Sequence, residues 1–262
     1  MSVNKKFVGF LWNSLGSGLV ACQTAVVVFL CSHFYSHEIS GIISLAYAIA
    51  ILVYTVARYG VRNYQATDVN EKYSFYDYGI ARLISIFISV AMLGVYMTCM
   101  ISLGYYGSDK AILIIEVVML RLVNAVEDLF FGRFQQMDHF EVGAKIMAVR
   151  ELVTLMWICM MLTRRINIKT VFAMGVIISV FFEIILLVKN KNGLAVGNTN
   201  CFQNKKSKAK DLLIECLPLC FGTSLAIYAS NIPKYVTDWY LNDFQQAVVG
   251  YLLLPVFTIA LL

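Results

Sequence analysis

The chain has 262 residues, 60% of them hydrophobic and only 14% charged, with a formal net charge of +5. A soluble domain averages about 25% charged residues, so the composition excludes an ordinary soluble fold. The positive balance then reports membrane topology first, and no nucleic-acid partner is expected. Three prolines and continuous apolar runs exclude a β-barrel, whose segments alternate over about ten residues. The class is an all-α polytopic transmembrane helical bundle.

The first apolar run spans about Phe7 to Cys31. Its polar residues Asn13, Ser17 and Thr24 fall within about 40° of each other at 100° per residue. Such a stripe, with Gly16 and Gly18 beside it, either lines a cavity or packs on a neighbour. His33 and His37 follow at a spacing that suits a metal pair, but no third ligand is near, and an interfacial pair is expected. A second run, about Ile39 to Ala57, leads into the longest polar island of the first hundred residues, RYGVRNYQATDVNEKYSFYDYGIAR (Arg58 to Arg82). On a continuing helix Arg58 and Arg62 share one face, where two guanidiniums could hold a phosphate or simply mark a helix end.

The third run spans about Tyr78 to Leu103. The fourth begins near Ala111 and carries Glu116, Arg121, Asn124, Glu127, Asp128 and Arg133, with Arg121, Asn124 and Asp128 on one stripe. Ionised groups at mid-membrane cost about 2.5–3.5 kcal/mol on insertion scales and persist when paired or facing water. Arg121 lies nearest mid-depth. The fifth run, about Val142 to Thr163, holds Lys145, Arg150 and Glu151. The sixth, about Lys169 to Val188, holds Glu183, expected to snorkel from a helix end.

A hydrophilic segment, 189–210, ends in NKKSKAK. The seventh run, about Asp211 to Ser230, precedes a predicted short loop containing NIPKY, Asp238 and Asp243. The last run starts near Ala247, contains Pro255 and is still apolar at Leu262, which predicts an incomplete C-terminus: seven helices and part of an eighth. The seven cysteines form no CxxC pair and read as small buried hydrophobes. Lysine and arginine concentrate at the N-terminus, 58–82, 133–145 and 189–210, which predicts a cytoplasmic N-terminus; Arg164, Arg165 and Lys169 dissent.

Arg58, Arg62, Arg82, Arg121 and Arg150 would make a shared cavity cationic and attractive to anions. Asn13, Ser17 and Asn124 would line it, and Glu127 or Asp128 could carry a coupling ion. The NKKSKAK segment could touch anionic lipid head groups or be a solvated linker. No nucleotide-binding, hydrolase or metalloprotease motif occurs, so no enzyme activity and no cofactor or metal are expected.

WNSLGSGL (Trp12 to Leu19), YGVRNYQATDVNEKYSFYDY (Tyr59 to Tyr78), AVEDLFFGRFQQMDHFEVGAKIMAVRE (Ala125 to Glu151) and SNIPKYVTDWYLNDFQQAVVGY (Ser230 to Tyr251) resemble the polysaccharide flippases of the multidrug/oligosaccharidyl-lipid/polysaccharide exporter superfamily, closest to the O-antigen branch. The resemblance implies two pseudo-symmetric six-helix bundles. Residues 1–188 would be the first, 189–210 the cytoplasmic linker, and 211–262 the start of the second. It implies a bacterial inner-membrane protein whose substrate is an undecaprenyl-diphosphate-linked glycan. Membrane lipids, a polysaccharide polymerase and a chain-length regulator would be its partners. A cation-coupled multidrug exporter and a membrane-embedded sugar polymerase stay open as alternatives.

Overall fold

The computed structural model describes residues 3–68, 71–190 and 208–259. Every regular element among them is a helix: α1 (Val3–Phe34), α2 (His37–Arg58), α3 (Val61–Thr67), α4 (Phe75–Ser102), α5 (Ser108–Gln136), α6 (Phe140–Thr163), α7 (Ile168–Lys189), α8 (Ala209–Tyr240) and α9 (Asp243–Ile259). Six of these are long and apolar enough to cross a membrane, so the chain is a multi-pass helical membrane protein. The 29-residue α5 is as long as a span but carries too much charge to read as one alone. The linker residues 191–207 lie outside the described residues, as do Leu262 and the side chain of Pro255.

Local chemistry sets the boundaries. Ser36 caps α2, its hydroxyl accepting from the Ile39 N–H at 3.2 Å. Ser74 and Asp77 form a reciprocal capping box at the start of α4. Between them, Asp68 accepts from Lys72 N–H (2.9 Å), Tyr73 N–H (3.1 Å) and the Tyr78 hydroxyl (2.8 Å). The polar island is thus a folded connection. Outside the membrane, the Glu215 carboxylate beside Lys72 holds that lysine's ammonium charged well above its ordinary range.

Two sequence expectations change here. The helix carrying Arg58 does not continue to Arg62: Tyr59 and Gly60 both adopt left-handed backbone, at φ 53° and 71°, and α3 starts afresh. Gly60 suits that conformation and also lies under Leu219, whose Cδ2 would sit 2.8 Å from an added Cβ. In addition, NIPKY is not a loop. α8 runs through Pro218 and Pro233 to Tyr240. Proline removes one backbone donor, and side chains supply local bonds around it: Asn231 donates to Ile227 O at 3.0 Å and Thr237 to Pro233 O at 2.6 Å.

α2 is the central helix. Of its apolar window 61% is buried, against 17% for α8. It packs on α1, α4, α5, α8 and α9. Glycines bring the last helices close: a Cβ on Gly41 would fall 2.0 Å from the Asp243 carbonyl oxygen, and one on Gly250 would fall 2.6 Å from Ser44 Oγ. The connections sort into two ends as the charge pattern predicts. At one end, Gly9 lies against Phe140 and Glu141, Arg133 pairs with Glu71 at 3.2 Å, and the Lys208 N–H donates to Asp77 at 2.8 Å. At the other, Lys110 bridges Asp238 (2.8 Å) and Asp243 (2.7 Å), while Tyr106 donates to Asp238. Burial and that neighbouring carboxylate push the Tyr106 phenol up.

Candidate functional site

A cavity of about 710 Å³ lies between α1, α2, α5 and the second half of α8. It extends from Lys234 past Arg121 to Arg62 and the exposed Asn63, so its mouth is at the polar-island end. The α1 stripe faces it: Asn13, Ser17 and Thr24 all line the wall. The neighbouring glycine does the packing, since a Cβ on Gly16 would lie 2.6 Å from Met147 on α6. The α5 stripe forms the opposite wall with Arg121, Asn124, Glu127 and Asp128. α3 is seated on α5 at Gly132, where a Cβ would lie 2.2 Å from Gln65; this brings Arg62 to the rim, its guanidinium 3.7 Å from the Phe131 ring centroid.

The five candidate arginines divide into two kinds. Arg58, Arg62 and Arg121 line the cavity; Arg82 and Arg150 do not. Arg82 sits behind the wall, donating to Asp128 at 2.8 Å and to Ala57 O at 2.9 Å. Arg62 and Arg58 reach the same carboxylate at 3.2 and 3.6 Å. Asp128 is therefore the counter-ion of three arginines from α2, α3 and α4. A buried guanidinium needs such a partner because desolvation is otherwise uncompensated.

Arg150 is buried behind Glu127. It pairs with Glu127, with Glu151 at 3.1 Å and with Glu183 at 3.3 Å, and donates to Ser179 Oγ at 2.8 Å. Glu183 does not snorkel. Gly175, Ser179 and Glu183 share one face of α7 at four-residue spacing and turn inward, a pattern readable in the sequence.

Arg121 differs from the others. It donates to the Val20 carbonyl at 3.0 Å and lies 5.2 Å from the Tyr47 ring centroid. Among the described residues it has no carboxylate partner, so its charge stays directed at the cavity. Lys234, assigned by sequence to an outward loop, lines the cavity with Asn231 because α8 continues through it. Its ammonium lies 3.5 Å from Ser44 O. A second crevice of about 480 Å³ opens between α2, α4 and α8, lined by Tyr96, Tyr228, Tyr235 and Trp239 and holding no charged side chain.

Chemically, the cavity can hold an anion. It offers guanidiniums, an ammonium, amides and hydroxyls above an aromatic rim. Among the described residues no three His, Cys, Asp or Glu side chains are grouped to hold a metal ion. No protein-family model, curated protein or solved structure matches this chain.

Proposed function

We propose that the protein is a non-enzymatic flippase. It moves an undecaprenyl-diphosphate-linked oligosaccharide from the cytoplasmic to the periplasmic leaflet of the bacterial inner membrane by alternating access. The observation that supports this reading is the cavity, in which Arg58, Arg62, Arg121 and Lys234 converge from four helices inside a membrane protein. Its carboxylates are taken up: Asp128 by three arginines, Glu127 by Arg150. Three guanidiniums share the single Asp128 carboxylate, and Arg121 has no carboxylate partner among the described residues, so the balance of charge at the wall is positive, which suits a diphosphate and acidic sugars and disfavours a cationic drug. The sequence resemblance points to the same substrate class. The lysine- and arginine-rich end that holds the mouth would face the cytoplasm. The opposite end, fastened through Lys110, Asp238 and Asp243, would open when the load is released.

The test is binding of a fluorescent undecaprenyl-diphosphate oligosaccharide to the purified chain in nanodiscs. Arg121→Glu is expected to weaken binding by at least tenfold while the protein stays in the membrane. Equal binding by the variant, or preference for a hydrophobic organic cation over the lipid diphosphate, would sink the reading.

A further inference from the structure

The second crevice lies on the opposite side of the α2–α8 seam from the cationic cavity. It is a slot of about 480 Å³ between α4 and α8, with α2 as its floor. Val53 on α2, Met92 and Tyr96 on α4, and Tyr228 and Trp239 on α8 line it, and its described lining holds no charged side chain. The slot is closed off from the cavity where α8 touches α2: the Tyr235 hydroxyl donates to Ala48 O at 2.9 Å, and Lys234 lies 3.5 Å from Ser44 O. α8 is also tied to residues at each end of α4. Near the polar island Lys72 pairs with Glu215 at 2.7 Å, and Lys208 N–H donates to Asp77 at 2.8 Å. At the other end Lys110 pairs with Asp238 at 2.8 Å, and Tyr105 stacks on Trp239.

The dimensions choose the occupant. A helix is about 10 Å wide and displaces about 420 Å³ per turn. The slot therefore has room for about one turn, and a helix of a second copy covers its opening without entering. Water gains nothing from an apolar lining. The protein crosses a membrane, so the medium at the opening is hydrocarbon, and an unfilled slot would forfeit dispersion contacts along its walls. A single hydrocarbon chain is thin enough to enter. From Tyr228 to Tyr240 the α8 wall runs about 18 Å at 1.5 Å per residue, and one leaflet of hydrocarbon is about 15 Å deep. At the Lys110 end this wall finishes in Trp239 and Tyr240, 55% and 80% exposed. Such rings sit at head-group level, offering an indole N–H and a hydroxyl beside an apolar face.

We propose that the slot is a lipid-binding site. It takes one acyl chain of a phospholipid from the leaflet at the Lys110 end, and Trp239 and Tyr240 meet the ester and phosphate groups. The polyprenyl chain of a lipid-linked cargo is a poorer fit. The cavity mouth that admits its head group lies at the polar-island end, the slot's aromatic donors lie at the other, and the α2–α8 seam separates the two. A seated acyl chain also acts on the fastening at that end. Tyr96 lines the slot, and its hydroxyl meets that of Tyr106 at 2.9 Å, which donates in turn to Asp238. An occupied slot thereby supports the wall that carries the Lys110–Asp238 pair. The site does not depend on the cargo and stands apart from the flippase reading.

The test is tryptophan fluorescence of the full chain in detergent, with Trp12 and Trp157 replaced by phenylalanine so that Trp239 is the one remaining indole. The added lipid is phosphatidylethanolamine with dibrominated acyl chains, which quench a neighbouring indole. Quenching is expected to saturate at one lipid per protein, and the unbrominated lipid should reverse it. Val53→Phe fills the slot and should weaken that binding at least fivefold. Val95→Phe, on the exposed face of α4 outside the slot, should leave it unchanged. Saturation and reversal in the parent carry the test if Val53→Phe fails to fold. Quenching that rises without saturation, as from lipids merely surrounding the protein, would overturn the proposal. So would equal quenching in Val53→Phe, no quenching, as when a second copy covers the opening, or tighter binding of brominated undecaprenyl phosphate than of the phospholipid. Failure to bind the lipid diphosphate, with the saturable quenching intact, would instead count against the flippase reading alone.

Discussion

At the scale of single residues, charge is stored in two separate ways. Asp128 and Arg150 are hubs whose partners come from different helices, so their ion pairs act as interhelical fasteners. Removing one partner from a buried pair leaves the other charge uncompensated, at a cost of about 3–5 kcal/mol. Asp128→Ala strands the fully buried Arg82 and should destabilise by about that much, read as a lower thermal midpoint in detergent. Arg150→Ala should be comparably damaging, because the three carboxylates lose their shared cation. Arg62→Ala should be far milder, since its side chain is one-fifth exposed at the rim. An Arg62→Ala variant less stable than Asp128→Ala and Arg150→Ala would reverse the assignment of hub and rim. Among the described residues Arg121 has no acidic partner to strand, so its loss belongs to binding and leaves the thermal midpoint nearly unchanged.

At the scale of helices, close approach decides where α8 and α9 sit. Gly41 and Gly250 let α9 press on α2, and the Tyr251 hydroxyl then donates to Ser40 Oγ at 2.8 Å. Gly41→Ala drives a methyl group into the Asp243 carbonyl and should cost about 1–3 kcal/mol through overpacking. Gly94→Ala on α4 is the control: nothing lies within 4 Å of its added Cβ, so it should stay within about 0.5 kcal/mol of the parent. Equal midpoints for the two variants would mean α9 does not dock as described. The amphipathic logic of α5 was legible from residue spacing, because Arg121, Asn124 and Asp128 share a face on any helix. The extension of α8 was not legible. Proline and asparagine in NIPKY have strong turn preferences in water, but inside a bilayer an interrupted backbone has no solvent to turn to, and the helix continues.

At the scale of the whole molecule, the protein is asymmetric about the membrane plane. The cavity mouth lies beside α3, and the other end is tied by Lys110 to α8 and α9. Asn63→Cys and Glu71→Cys, placed singly in a background with all seven native cysteines replaced, should react with a membrane-impermeant thiol reagent from one side. Asp109→Cys, 83% exposed in its side chain at the other end, should react from the opposite side. Labelling of all three from the same side would contradict the bundle's two-ended arrangement. Cutting the fastening with Lys110→Ala should increase reagent access to a cysteine at Asn231 from the Asp109 side.

The sequence by itself determined the class, the positions of the long helices to within a few residues apart from the far end of α8, the sorting of connections between two ends, and the polar faces of α1 and α5. Those features follow from hydropathy and helical period, which are local. Only the tertiary structure decided which arginines face the cavity. Arg82 and Arg150 carry the same charge as Arg121, but they meet carboxylates 46 and 23 residues away, and Arg121 meets none among the described residues. Such pairings depend on which helices are neighbours, which spacing along one chain does not encode. The placement of Lys234 in the cavity and of Glu183 behind it has the same origin: a charged side chain in a membrane protein takes its role from what the opposing helix offers.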